Sequence, residues 1–162
     1  MGPTANYQIN KFDPTRVQLD LEGFIQAGFK LPVDYDFSEA SALDINFKAV
    51  EAINSGGVKI WLNFISMLSK FPKLKINYIN CTQMVITQIV RIEGFAPSNI
   101  KIVSIQTPIY CGNCDQSFSI HQNLHSLPDN INDILDQADP DMCNSQSSCK
   151  KTWEVDLLAE EN

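Results

Sequence analysis

Between residues 43 and 105 the hydrophobic period changes four times. Leu43, Ile45 and Phe47 repeat every second residue, the spacing of a half-buried strand. From Gly56 to Lys70 the pattern turns helical, with Asn54 and Ser55 as capping residue types before it and Pro72 after it. Leu74, Ile76 and Tyr78 return to the strand period. Thr82 opens a second helix that runs to about Ile92 and stops at Gly94, with Pro97 beyond. Ile100, Ile102, Val103 and Ile105 give another strand. An earlier strand is carried by Val17, Leu19 and Leu21, with Gly23 as its expected end. The order is strand, strand, helix, strand, helix, strand. Strands separated by helices of this length require parallel crossovers, so the fold class is an α/β sheet with helices.

The composition divides the chain in two. Residues 1–128 hold ten basic and ten acidic residues, whereas residues 129–162 hold two and nine, which accounts for the formal charge of −7. Cys81 stands alone, while Cys111, Cys114, Cys143 and Cys149 all fall in the last third. A main domain over 1–106 and a cysteine-bearing C-terminal module over 107–162 are expected. In the module, Phe118 and Ile120, then Trp153, Val155 and Leu157, alternate like short antiparallel strands. Asp129 is placed to cap a short helix carrying Ile131, Ile134 and Leu135.

An acidic chain is a poor match for nucleic acid, where Lys and Arg replace phosphate counterions. No apolar run reaches the roughly 18 residues of a membrane span, so no membrane insertion is expected. The first ten residues show neither the basic nor the apolar region of a leader. A cytoplasmic location is the expectation.

The series Leu43-Asp44-Ile45-Asn46-Phe47, Val50, and Ile53-Asn54-Ser55-Gly56-Gly57-Val58 resembles the strand, turn and helix opening of STAS domains, the fold of bacterial anti-sigma-factor antagonists. Ile76 to Cys81, then Gln88, Gly94 and Phe95, are similar to that family's next strand, helix and Gly-hydrophobe pair. A bacterial subgroup with a C-terminal zinc ribbon is closer still, through Val58 to Phe64 and Pro108-Ile109-Tyr110-Cys111-Gly112-Asn113-Cys114. The resemblance implies a STAS-like sheet, a three-stranded zinc-ribbon-like module, and a non-enzymatic signalling role through a regulatory protein partner. It also implies a switch at the Asn54-Ser55-Gly56-Gly57 turn. The residue that the family phosphorylates corresponds to Gly56, which has no hydroxyl, so Ser55 is the residue left to carry a modification. Simple capping by Asn54 or Ser55 is the plainer reading of the same turn.

Cys111-x2-Cys114 has the spacing of a zinc knuckle, because two thiolates so placed can hold one tetrahedral ion. Cys143-x5-Cys149 is wider than a usual knuckle but can close a four-thiolate structural site. His121 or His125 could replace a thiolate, although both read more simply as surface residues. Cys81 reads as a small core residue. There is no HExxH, GxSxG or P-loop motif, and no enzyme is expected. Two alternatives stand beside the signalling module: a sensor of a nucleotide or lipid near the 54–57 turn, and a metal or redox sensor using the C-terminal cysteines.

The helix over 56–70 carries apolar residues around roughly 220° of its circumference, wider than one sheet face needs. With Val58, Leu62 and Ile65 on the sheet, Ile60, Phe64 and Met67 point away. They require cover from the C-terminal module or from a second chain as a homodimer.

Overall fold

The computed structural model describes residues 7–126, 135–137, 143 and 152–155. Among the described residues the main elements follow in the order β1 (Tyr7–Asp13), β2 (Arg16–Ile25), β3 (Ala42–Ile53), α1 (Ser55–Leu68), β4 (Lys75–Ile79), α2 (Gln83–Arg91), β5 (Ile100–Ile102), β6 (Ser104–Cys111), β7 (Gln116–Asn123) and β8 (Trp153–Val155). The first five strands form one sheet in their sequence order. β1 pairs antiparallel to β2, and β2 through β5 are parallel. The second sheet is antiparallel, with β6 between β7 and β8.

Period-two alternation gives each strand of the first sheet an apolar face. Val17, Leu19, Leu21, Leu43, Ile45, Phe47, Ile76 and Tyr78 point into a single core with Trp61 of α1 and Val85 of α2. Both helices therefore lie on this face, as same-handed crossovers along one strand order require. Trp61 is the hub, with ring contacts to Phe47, Phe64, Tyr78 and Phe95. The Phe95 carbonyl oxygen accepts from both Trp61 Nε1 (3.1 Å) and the Tyr78 hydroxyl (2.7 Å), which satisfies two buried donors at once. The connection over 26–41 closes one end of the core with Leu31, Phe37 and Ala40.

The expected face of α1 is corrected. The helix buries Gly57, Trp61, Phe64, Ile65 and Leu68, while Val58 and Leu62 are half-exposed. Phe64 is fully buried against Trp61. Ile60 and Met67 flank it and pack on the same core. Gly57 sets this orientation: a β-carbon there would lie 2.0 Å from the Ile25 carbonyl oxygen, so this line of the helix rests directly on strand backbone. The apolar residues beyond the sheet face are thus absorbed by their own core. The C-terminal sheet packs instead beside α2 and β4, through β6.

Other differences are local. β1 was not expected, because only Tyr7 and Ile9 alternate before Lys11 takes the next inward position. Gly23 does not end β2; it adopts φ +77° where the pairing with β3 shifts register, and the strand continues to Ile25. The last expected strand is two. β5 ends at Ile102, and β6 begins at Ser104 and turns into the second sheet. The join is tight: the Val103 N–H donates to Tyr78 O (2.8 Å), and Cys81 bridges Ile105 in parallel. The expected helix start at Asp129, with Ile131 and Ile134, lies outside the described residues, as does Leu157.

Candidate functional site

β6 ends at Cys111 and turns back into β7 through residues 112–115. The N–H groups of Cys114 and Asp115 donate to the Cys111 carbonyl at 3.3 and 3.0 Å, and Asp115 takes φ +54° to complete the reversal. Tyr110 donates to the Asp115 carboxylate across the turn, and that bond pushes the phenol pKa up. The Gly112 N–H donates to Thr152 O (2.9 Å), tying the turn to the residue before β8. A two-residue spacing in such a turn places both cysteine side chains on one side, and Cys143 joins them. The sulfurs of Cys111, Cys114 and Cys143 all lie within 4.8 Å of one another. Cys114 Sγ and Cys143 Sγ are 3.3 Å apart. A tetrahedral zinc with thiolates at about 2.3 Å has edges of about 3.8 Å, so the three sulfurs are spaced to share one ion. Cys111 and Cys143 are buried and Cys114 half-buried. The type of metal is set by chemistry, and soft thiolates select zinc, copper(I) or iron.

Cys149, the fourth expected ligand, lies outside the described residues. His121 and His125 are not in the cluster; His121 Nδ1 is engaged with Asn80 Oδ1 at 2.7 Å. Cys81 belongs to the first core, where burial pushes its thiol up to about 12.

The turn at 54–57 is occupied by structural work. Asn54 is the N-cap of α1, its Oδ1 accepting from Gly57 N at 2.9 Å. The Asn54 N–H donates to Ile25 O (3.2 Å). Gly56 lies against Ala27, where an added β-carbon would come within 2.9 Å of the Ala27 β-carbon. Ser55 is exposed at the first helical position.

Two adjoining cavities open between the sheets, away from that turn. One of about 390 Å³ is lined by Glu51, Gln83, Thr87, Gln88 and Arg91, among others. The other, about 630 Å³, is lined by Lys48, Asn80, Ser119, Ile120 and His121, among others. Thr82, Gln106 and Ser119 line both. Sequence reading missed these residues because they are polar ends of strands and helices with no motif spacing. The one signal was a run of Asn, Asp and Gln at the outward positions of β2, β3 and β4. No family model, curated protein or solved structure matches the chain.

Among the described residues no helix is long and apolar enough to cross a membrane.

Proposed function

We propose that the protein is a non-enzymatic regulatory module: a STAS-like sheet joined to a small zinc ribbon and acting through contact with a protein partner. The convergence of three sulfurs from Cys111, Cys114 and Cys143 carries the metal part of this reading. Cys149 supplies the fourth ligand, and a closed set of four thiolates holds its ion for structure and leaves no position for substrate. Thiolate coordination suits a reducing compartment such as the cytoplasm. The partner surface is the rim where β2 meets α1. Phe24 is 43% exposed there and is paired in register with Ala52, two residues before Asn54 of the capped turn that presents Ser55.

Elemental analysis of protein purified without chelator tests the metal, with about one zinc per chain expected. Protein that is free of metal, with its C-terminal cysteines oxidised, overturns the ribbon. A photo-crosslinker at Ser55 tests the rim in native cells. One protein partner is expected, lost in Phe24→Asp; crosslinks unchanged by that substitution overturn the placement.

A further inference from the structure

The three cysteines of the C-terminal cluster are held differently. Cys111 is the last residue of β6 and is anchored from both sides, in register with Gln116 of β7 and with Trp153 of β8. Its carbonyl oxygen also accepts the N–H groups of Cys114 and Asp115, and its side chain is fully buried. Cys114 lies in the turn, outside any strand, and is the one member of the three that is only half-buried. Cys143 is buried and sits in irregular chain. Cys114 Sγ and Cys143 Sγ are 3.3 Å apart, inside the edge of about 3.8 Å that a tetrahedral zinc with four thiolates would set.

A disulfide holds its sulfurs about 2.05 Å apart, so Cys114 and Cys143 need to close by roughly 1.3 Å. Neither belongs to a strand ladder that would resist the movement. Closure of Cys111 onto Cys114 would instead pull on the two strand pairings that end at Cys111. Exposure decides where an oxidant enters, because cysteine oxidation follows access to the sulfur. Cys114 is the accessible member of the cluster, and Cys81 is buried in the first core, outside it.

We propose that the metal centre is a peroxide-sensitive release switch, in which Cys114 is the sulfur attacked and Cys143 the one that resolves it. The inference rests on the zinc reading of these cysteines, and the oxidant is hydrogen peroxide. The Cys114 thiolate attacks one peroxide oxygen. An S–O bond forms, the O–O bond breaks, and hydroxide leaves with the electron pair, so Cys114 becomes a sulfenic acid. The Cys143 thiolate then attacks Cys114 Sγ. The S–S bond forms, the S–O bond breaks, and a second hydroxide leaves. Both hydroxides take protons from solvent and end as water. Two thiolates are thus oxidised by two electrons in all, and one peroxide is reduced. Thiolates, not disulfide sulfurs, are the metal ligands, so the site loses two of its ligands and gives up its ion.

The test uses the full chain, purified without chelator and first assayed for zinc. A few molar equivalents of hydrogen peroxide are expected to release the ion to a chromogenic chelator and to lower the protein mass by two hydrogens. Peptide mapping should find Cys114 bridged to Cys143, and dithiothreitol with added zinc should restore the starting form. Cys143→His keeps a metal ligand at that position but removes the resolving thiol. Its release should be tenfold slower or more, with Cys114 trapped as a dimedone adduct. Zinc that stays bound to the wild type through this treatment overturns the proposal, as does a bridge from Cys111 to Cys114 or any bridge to Cys149. Release from Cys143→His at the wild-type rate does the same, and the wild-type map decides the matter whether or not that variant folds. Protein that carries no zinc as purified overturns the metal reading itself, a separate failure seen before any oxidant is added.

Discussion

Gly57 of α1 lies against the Ile25 carbonyl so closely that a β-carbon on it would be 2.0 Å from the oxygen. Helix and strand meet backbone to backbone at this point, and the obstacle is main chain that cannot rotate away. Gly57→Ala is expected to destabilise the protein by about 3 kcal/mol, the upper end for forced overpacking. Gly56→Ala meets the Ala27 β-carbon at 2.9 Å and is expected to cost about 1 kcal/mol. Urea unfolding followed by circular dichroism ranks the two; equal costs would contradict this geometry.

Phe64 is fully buried beside Trp61. Truncation to Ala is expected to cost about 3–5 kcal/mol through lost burial and the cavity left behind. Phe64→Asp adds an unpaired buried charge and is expected to unfold the first sheet. Trp61 sits in that core, so its fluorescence should shift as the sheet opens. Proteolysis confined to residues 105–110, with the first sheet intact, would show that Phe64 instead supports the C-terminal sheet.

Burial of Cys81 raises its thiol from 9.0 to about 12. In the unfolded chain this thiol loses its proton near pH 9, whereas in the folded protein it keeps it. The unfolded state therefore binds fewer protons over that interval, and stability falls as pH rises from about 9 to 12. The slope is roughly 1.4 kcal/mol per pH unit. Below pH 9 the contribution is fully present. Urea midpoints of wild type and Cys81→Ala, measured from pH 7 to 11, should converge as pH rises. Parallel curves would show that Cys81 does not carry the effect.

Arg16 reaches Asp44 with two N–H groups, Nε at 2.9 Å and Nη2 at 2.7 Å. Asp44 is 4% exposed at its side chain, and the arginine is 58% exposed. Asp44 Oδ1 also accepts from Asn77 Nδ2 (2.7 Å). Arg16→Ala leaves a buried carboxylate with one side-chain donor and is expected to cost about 1–3 kcal/mol. Asp44→Asn with Arg16→Ala should cost less than Arg16→Ala alone, because the stranded charge is gone. A double-mutant cycle checks the sign.

The parallel order of the sheet was legible because each crossover helix interrupts a clean two-residue alternation. The meeting of Cys111 and Cys114 in one turn was legible for a similar reason: a two-residue spacing leaves the turn little freedom. The buried side of α1 was not. Its apolar residues surround most of the helix, and the deciding position, Gly57, has no side chain for a periodicity to register. The polar lining between the sheets was hidden for another reason. Asp20, Asn46, Asn80, Gln106 and His121 come from separate strands and connections, and only the register of both sheets brings them into one chain of bonds.

Val103 ties the two sheets with its own peptide groups, its N–H bonded to Tyr78 O and its carbonyl oxygen accepting the Leu124 N–H (2.9 Å). In mechanical terms the molecule has a weld at this residue where a hinge would be expected. Force applied to the second sheet passes into β4 of the first sheet, with no slack linker to absorb it. The two sheets should consequently melt in one cooperative transition, and amide exchange at Val103 and Leu124 should report global opening rather than local fraying.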